Sequence, residues 1–151
     1  SQLHKMRSTE GEVLASDIEK RLIRMESLLK EISHTTAENA EKLRQEFREK
    51  IYSMLDGTDI DESRIVMEAA VLSEKADVTE ECVRCDSHLQ QIGKLVADDE
   101  PAGKRLNFLL QEVVREINTI GSKTGDLTII NRVVDLKEES EKIKEQVQNI
   151  L

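Results

Sequence analysis

The stretch that decides the fold class is DLTIINRVVDLKEESEKIKEQVQNI, residues 126–150. Within it, apolar or small residues recur at alternating spacings of three and four, which is the heptad pattern of a helix that packs along a seam. The positions on this seam are Ile129, Val133, Leu136, Ser140, Ile143, Val147 and Ile150. Such a seam packs against a neighbouring helix or against another subunit.

The composition of the rest of the chain favours helices as well. The 151 residues include three aromatic residues, one proline and six glycines, so the chain lacks the strand formers and turn residues that β-sandwiches and barrels need. Leu, Ile, Val and Ala make up most of the apolar fraction of 38%. We therefore predict an all-α protein, with a long antiparallel helical hairpin followed by a bundle of about four helices.

The hairpin is predicted for the first third of the chain. Its first helix runs from residue 4 to residue 32, and its second helix ends before Asp56 and Gly57. A polar cluster, residues 33–39, separates the two helices, and Thr35 with Glu38 forms a capping box for the second start. The apolar stripe of the first helix is Ile18, Leu22, Met25, Leu29 and Ile32. We expect residues 1–57 to form this hairpin and residues 58–151 to form a C-terminal helical domain.

Capping residues divide the later part of the chain into further helices. Asp61 is a predicted N-cap, Asp77 with Glu80 predicts a helix start near Val78, and Pro101 suits a first helical turn. Gly121 is predicted to end the helix that follows Pro101. The two apolar stripes of this region are Cys82, Cys85, Leu89, Ile92 and Val96, then Leu106, Leu110, Val113, Ile117 and Ile120.

The charge argues against a domain whose whole surface binds nucleic acid, because phosphate binding depends on Lys and Arg. The formal net charge of the chain is −9. Residues 101–123, however, hold four basic and two acidic residues, so contact with RNA at that segment is not excluded. The scarcity of aromatic residues argues against base-stacking platforms. With no apolar run long enough for a membrane span, we expect no membrane partner.

The cysteines allow two interpretations. Cys82, Cys85 and His88 are spaced so that all three could lie on one helix as ligands or redox groups. The second interpretation is stronger, because both cysteines fall on the apolar stripe and no second cysteine pair exists. We therefore predict core positions for them, and a reducing compartment for the chain.

The polar residues around position 112 form the main candidate site. Glu112 and Glu116 are one helical turn apart, and two carboxylates at that spacing can share a divalent cation. On the preceding helix Glu81, Arg84 and His88 form a second polar face. If the two faces meet, carboxylates, an imidazole and a guanidinium group converge. The alternative is a solvated face in which Glu112 pairs with Arg115 or Lys104.

One long motif closely resembles the C-terminal half of the bacterial YicC/YloC family. It is FLLQEVVREINTIGSK, residues 108–123, and it is accompanied by KADVTEE at 75–81, His88, and EQVQNI at 145–150. The resemblance covers essentially the whole chain, and we expect the family's N-terminal half to lie outside it. Some positions depart from the family pattern, with Val114 where Asn is usual and Asn107 where Asp is usual. Cys82 and Cys85 stand where Leu is common, and Lys104 and Arg105 follow a loop that lacks the usual Gly-Gly-Pro.

This resemblance implies a metal-dependent endoribonuclease of the bacterial cytoplasm, in a family described as stress-induced, that acts on RNA as a homo-oligomer, expected to be a hexamer. On this basis we assign His88 as general acid or base, with Glu112 and Glu116 as further catalytic residues. The predicted ligands of a divalent ion, Mn²⁺ or Mg²⁺, are Glu81, Glu112 and Glu116. The predicted contacts to the RNA phosphate are Arg84, Arg115, Lys123, Asn118 and Ser122. The other matched polar residues are Glu80, Gln111 and Thr119.

An alternative role is open for the same residues. They could form a buried polar network that fixes helix packing in a non-catalytic oligomerisation module of a YicC-like protein.

Overall fold

The computed structural model describes residues 9–55, 59, 61–98 and 103–150, and within them it contains five α-helices and no strand. The predicted all-α class is confirmed. None of the described helices has a stretch that is both long and apolar enough to cross a membrane. The helices are α1 (Thr9–Met54), α2 (Glu62–Lys75), α3 (Thr79–Ala97), α4 (Gly103–Lys123) and α5 (Leu127–Ile150).

The predicted hairpin within residues 4–55 is wrong, because α1 is one continuous helix of 46 residues. The polar cluster at 33–39 contains no glycine or proline that would break it. Inside the cluster, His34 Nε2 lies 2.9 Å from Glu38 Oε1, a pair four residues apart that supports helix. Asn39 also donates a hydrogen bond of 2.7 Å to Asp126 at the start of α5. A long-range contact therefore holds the polar cluster in helical form.

The chain reverses between α1 and α2 instead. Arg48 on α1 lies 2.7 Å from Glu62 at the start of α2, so α2 folds back along the second half of α1. Asp56 and Gly57, the predicted turn residues, lie outside the described residues. The hairpin of this protein is thus α1 with α2, and it is displaced along the chain from its predicted position.

The core joins the first half of α1 to α3, α4 and α5. It therefore includes residues on both sides of position 57. Every member of the predicted stripes of α3 and α4 is buried, and so is each described side chain of the predicted α5 seam. Central members of the core are Ile18, Met25, Ile32, Leu89, Ile92, Leu106, Ile117, Ile120, Leu136 and Ile143.

The helix starts agree with the predicted caps, with one difference in detail. Asp61 is the N-cap of α2, and its carboxylate accepts a hydrogen bond from the amide of Arg64. Asp77 precedes α3, but its carboxylate accepts the amide of Thr79 rather than that of Glu80. The helix begins at Thr79, within one residue of the predicted start.

The prediction that Gly121 ends the helix is wrong, because α4 continues to Lys123. A Cβ atom at residue 121 would lie 3.3 Å from Val133 Cγ1 on α5. The glycine therefore allows α4 and α5 to approach closely, which is a packing role rather than a capping role. Pro101 and the side chain of Ile150, which were also part of the predictions, lie outside what the structure describes.

Candidate functional site

The two polar faces predicted from the sequence meet between α3 and α4, which pack antiparallel. At the centre of this interface Arg84 donates two hydrogen bonds to Glu116, from Nε to Oε1 at 2.9 Å and from Nη2 to Oε2 at 3.2 Å. The Glu116 side chain is 9% exposed, whereas that of Arg84 is about half exposed. A planar guanidinium and a carboxylate joined by two bonds form a directional pair, so the contact fixes the register of α3 against α4.

A second ion pair lies about one turn away. Lys123, at the end of α4, places its Nζ 2.6 Å from Oε1 of Glu81 and 3.3 Å from the carbonyl oxygen of Asp77. Arg84 Nη2 approaches the same Glu81 oxygen at 3.9 Å, so the two pairs form one connected cluster. Glu81 is buried, and its other carboxylate oxygen, Oε2, has no hydrogen-bond partner among the described residues.

The electrostatics of the cluster favour its charged form. The hydrogen bonds to Glu116 are the largest cause that raises the pKa of Arg84 above its usual value. Hydrogen bonds from Thr79 lower the pKa of Asp77, and the charge of Lys123 adds to that effect. The two pKa shifts keep the Arg84 guanidinium and the Asp77 carboxylate ionised at neutral pH.

His88 and Glu112 occupy the next level of the same interface. His88 follows Arg84 by four residues, and Glu112 precedes Glu116 by four, so the antiparallel register puts both one turn further along. The Nδ1 atom of His88 is buried and has no hydrogen-bond partner among the described residues. Glu112 is partly exposed, and its cation neighbour is Arg115, with 4.0 Å between Nη1 and Oε1. His88 and Glu112 therefore make weaker ion pairs and hydrogen bonds than Glu81 and Glu116 do.

The remaining predicted contact residues lie on the outward side of α4 and are not drawn into the cluster. Arg115 is 76% exposed, and Asn118 is exposed as well. Ser122 donates to the carbonyl of Thr119 within its own helix, at 2.8 Å. These side chains can meet a ligand that arrives from solvent, but they do not line the interface between the helices.

The predicted metal ligands do not fit a divalent ion in this arrangement. Among the described residues, no group of three or more His, Cys, Asp or Glu is positioned to hold a metal. Two of the three predicted ligands, Glu81 and Glu116, face the cations of Lys123 and Arg84 instead. A divalent ion would have to displace those cations before it could bind both carboxylates.

The cysteines belong to the core. Cys82 and Cys85 are free and buried. Burial is the largest cause that raises the pKa of both thiols, to about 12 for Cys85. A thiol that stays protonated is a poor nucleophile and a poor metal ligand, so the structure supports the core interpretation of the pair.

A second buried charge cluster, between α1 and α5, escaped the sequence analysis. Glu139 is buried and lies 3.1 Å from Arg21 and 3.5 Å from Arg24, and Arg21 in turn pairs with Asp17. A signal was available, because residue 139 is three positions after Leu136 and falls on the buried side of the α5 seam.

A cleft of about 680 Å³ opens beside the α3–α4 cluster, between the middle of α1 and the α4–α5 connection. Asp77 and Lys123 line it, whereas His88 and Glu112 do not. Thr36, which also lines it, has a buried hydroxyl with no hydrogen-bond partner among the described residues. Lys123 thus connects the ion-pair cluster to this cleft.

Comparison with known proteins assigns the chain to a family. A sequence model described as "Endoribonuclease YicC-like, C-terminal" matches residues 30–151, which is most of the chain. The chain belongs to the YicC-like family. The resemblance inferred from the motif at residues 108–123 is therefore confirmed.

Two relatives illustrate the extent of the match. The probable endoribonuclease YicC of Clostridioides difficile (strain 630) is 42% identical over 149 residues, which cover 98% of this chain and 51% of the relative. The probable endoribonuclease YicC of Haemophilus influenzae is 30% identical over 147 residues, or 96% of this chain and 50% of the relative. The chain thus spans about half the length of the curated relatives it matches.

Proposed function

We propose that this chain is the helical C-terminal part of a bacterial endoribonuclease, and that the polar face between α3 and α4 supplies groups that cleave RNA phosphodiester bonds. Membership of the YicC-like family supports the reaction, since the relatives are named probable endoribonucleases. The observation that carries the site is the buried, unpartnered Nδ1 atom of His88, in an interface where the neighbouring ionisable groups are paired.

His88 is the proton-transfer group of the proposed site. Imidazole is the side chain whose ordinary pKa lies nearest neutral pH, so it can accept and return a proton during cleavage. Its Nδ1 atom has no hydrogen-bond partner among the described residues, so the hydrogen-bonding capacity of that atom is unused. General acid–base catalysis of this kind contributes roughly 10²- to 10⁴-fold to a rate.

Glu112 and Arg115 act beside it at the rim of the interface. Of the three predicted catalytic and metal-binding carboxylates, Glu112 is the one with no hydrogen-bonded cation among the described residues, so it can accept a proton itself. Arg115 is largely exposed and can pair with a phosphate through its planar guanidinium. Asn118 and Ser122, also exposed on α4, extend the same surface for RNA.

Arg84, Glu116, Glu81 and Lys123 are positioning residues in this proposal. Their ion pairs join α3 to α4 and so set the separation between His88 and Glu112, which sit on opposite helices. Dependence on Mn²⁺ or Mg²⁺ remains a prediction from the resemblance. Because the described carboxylates do not fit an ion, we assign no step of the cleavage to it. We expect the reaction to take place in the bacterial cytoplasm.

The test compares two glutamate variants in cleavage of an end-labelled hairpin RNA. It is run with this chain and with a longer protein that carries this chain as its C-terminal half. We expect Glu112→Gln to slow cleavage at least tenfold and Glu138→Gln, on the exposed side of α5, to leave it unchanged. Equal cleavage rates for the wild type and Glu112→Gln would show that the Glu112 carboxylate takes no part in cleavage.

A second candidate function is a helical module that only supports assembly. The observation in its favour is that Glu81, Arg84, Glu116 and Lys123 satisfy one another, as residues of a structural network do. In that case Glu112→Gln would leave the cleavage rate of the longer protein unchanged, while Glu116→Gln would lower stability and cleavage together.

A further inference from the structure

The cleft beside the α3–α4 cluster has no role in the proposed cleavage steps, which take place around His88. Its volume is about 680 Å³, and it is lined by the middle of α1, the end of α2, the start of α3 and the α4–α5 connection. Pockets of roughly 300–1,000 Å³ bind ligands of drug size, and a single nucleotide is of that size. The cleft is therefore large enough for one small ligand.

The larger part of the cleft surface is apolar, and it is formed by small side chains. Ala37 and Ala40 of α1 lie on one side, with Ala76, Val78 and Ile129 on the others. None of the residues that line the cleft in the described structure is aromatic. A flat ring can pack against small side chains of this kind, as extruded bases pack between apolar side chains in enzyme pockets.

Hydrogen-bonding groups lie among these apolar side chains. Thr36 has a buried hydroxyl with no hydrogen-bond partner among the described residues. Asp77 accepts both of its bonds from Thr79 on one oxygen, Oδ1, whereas an ionised carboxylate has about four acceptor sites. Hydroxyl and carboxylate groups bind the amino groups on the edges of unpaired bases. The cleft therefore offers both a surface and polar partners for a base.

The charges around the cleft favour a neutral ring inside it and a phosphate at its rim. Hydrogen bonds from Thr79 lower the pKa of Asp77. The amide of Ile129 has the same effect on the pKa of Asp126, so both carboxylates are negative at neutral pH. Two negative groups oppose a free anion inside the cleft. Lys42, which also lines the cleft, is largely exposed and provides a cation at the rim.

Lys123 links the cleft to the face that carries His88. Its ammonium group has three N–H donors, of which one bonds to Glu81 and another to the carbonyl of Asp77. One donor is therefore left for a ligand in the cleft. Glu81 and His88 are seven residues apart on α3, which is about 10 Å at 1.5 Å per residue.

A polar stripe on α4 runs between the same two places. Arg115, Asn118 and Ser122 are exposed, and their spacings of three and four put them on one side of the helix. They lie between Glu112 and Lys123, which are eleven residues apart, or about 16 Å along the helix axis. A few nucleotides of single-stranded RNA can follow α4 over that distance.

We propose that the cleft binds one unpaired nucleotide of the RNA, with the base between the small side chains and the phosphate at Lys42. The adjoining strand follows α4 towards His88. The choice of RNA as the source of the nucleotide rests on the proposed function. The cleft then takes the place of aromatic stacking platforms, in which the chain is poor. Both tests below measure binding alone, so the proposed cleavage reaction and this binding site can fail separately.

Nuclear magnetic resonance of the isotope-labelled chain tests whether the cleft binds a nucleotide. The probes are AMP, CMP, GMP and UMP at millimolar concentration, with inorganic phosphate as the control. We expect at least one of the nucleotides to shift the amide signals of Thr36, Val78 and Gly125, and phosphate to leave them unchanged. The proposal is overturned if no nucleotide shifts these signals more than phosphate does.

Fluorescence polarisation with a labelled hairpin RNA tests whether the nucleotide belongs to RNA. The protein is the longer one that carries this chain, in a His88→Ala background, and a gel confirms that the RNA stays intact. Ala40→Leu fills part of the cleft, whereas Ala97→Leu adds the same group at the exposed end of α3, outside the cleft. We expect Ala40→Leu to weaken RNA binding at least tenfold and Ala97→Leu to leave it unchanged.

Two outcomes of this second test overturn the proposal. If Ala40→Leu abolished the shifts caused by a mononucleotide but bound RNA like the wild type, the cleft would be a site for a free nucleotide. If Ala97→Leu weakened RNA binding as much as Ala40→Leu did, the loss would not come from the cleft.

A charge variant covers the case in which Ala40→Leu loses its helical circular dichroism. Lys42→Gln removes the cation at the rim, and Lys50→Gln removes an exposed cation of α1 outside the cleft. We expect Lys42→Gln to weaken RNA binding roughly threefold, as loss of one phosphate contact does, and Lys50→Gln to have little effect. Equal losses from the two variants would overturn the placement of the phosphate at Lys42.

Discussion

Arg84 and Glu116, 32 residues apart in sequence, are joined by two hydrogen bonds across the α3–α4 interface. This ion pair changes the role that we assign to each of the two residues. From the sequence, Arg84 was a phosphate contact and Glu116 a catalytic carboxylate and metal ligand. In the structure each is the other's counterion, which leaves His88 and Glu112 as the residues of the same face without a close ion pair.

The first prediction concerns the stability provided by this pair. Arg84→Met leaves the Glu116 carboxylate, 9% exposed, with no guanidinium to compensate its burial. Removing one partner of a buried pair costs more than the pair contributes, because the remaining charge is desolvated without compensation. We expect a clear drop in the urea concentration at which half of the chain is unfolded.

The matched control for this prediction is Arg115→Met. Arg115 is largely exposed and its contact with Glu112 spans 4.0 Å, so its removal should shift the urea midpoint little. The double variant Arg84→Met with Glu116→Leu should recover much of the lost stability. If Arg84→Met and Arg115→Met had equal midpoints, the pair would have no special role in stability.

The sequence predicted the helices well where the apolar spacing is regular. The stripes of α3, α4 and α5 are determined by contacts that repeat every turn, so local spacing was sufficient to find them. It failed at residues 33–39, because a polar cluster resembles a break unless the contact between Asn39 and Asp126 is known. It failed at Gly121 for the same reason, since the nearby Val133 belongs to another helix.

The sequence predicted which residues form the candidate site, but it did not predict which cation pairs with which carboxylate. Spacing along each helix identified Glu81, Arg84 and His88 on one face and Glu112 and Glu116 on the other. Which cation meets which carboxylate depends on the register between the two helices, and no spacing within one helix contains that information. The predicted metal set therefore contains two carboxylates that the structure pairs with cations.

The second prediction is a pH dependence at the start of α5. Asp126 accepts hydrogen bonds from the amide of Ile129 and from Asn39, and these bonds lower its pKa below the usual 3.8. The stabilisation is fully present above 3.8 and is lost as the pH falls through the lower value of the folded state. Asp126→Ala should therefore cost about 1 kcal/mol at pH 7.

Measurement of unfolding free energies by urea at pH 7 and near pH 2.5 checks this. The difference between wild type and Asp126→Ala should shrink at the lower pH. Asp126→Asn keeps a capping oxygen but cannot titrate, so it should retain more stability than Asp126→Ala at pH 7 and show less pH dependence. A difference between wild type and Asp126→Ala that is the same at both pH values would contradict the assignment.

The third prediction is that both thiols are inert in the folded protein. With a pKa of about 12 for Cys85, about one thiol in 10⁴ is ionised at pH 8, and burial blocks access as well. Alkylation by iodoacetamide should be negligible in buffer and complete in 8 M urea, as measured by mass. Fast labelling of either cysteine in buffer would mean that α3 opens without global unfolding.

The fourth prediction concerns metal binding. Arg84 and Lys123 form ion pairs with the carboxylates of Glu116 and Glu81. We therefore expect calorimetric titration of this chain with Mn²⁺ to give no saturable binding below about 1 mM. Arg84→Met frees the Glu116 carboxylate and should bind Mn²⁺ more tightly than the wild type. If the wild type bound Mn²⁺ at micromolar concentration and Glu116→Gln abolished this binding, Mn²⁺ would be shown to displace Arg84 from the Glu116 carboxylate.

The most direct test of the proposed active site uses two of the chain's histidines. His88 has a buried, unpartnered nitrogen at the α3–α4 interface, whereas His34 is 76% exposed on α1 and pairs with Glu38. The measurement is the rate of hairpin RNA cleavage by the longer protein that carries this chain, with His88→Ala or His34→Ala. The proposal predicts a loss of at least 100-fold for His88→Ala, within the range roughly expected for a general acid or base, and no loss for His34→Ala. Wild-type cleavage by a folded His88→Ala variant would contradict it.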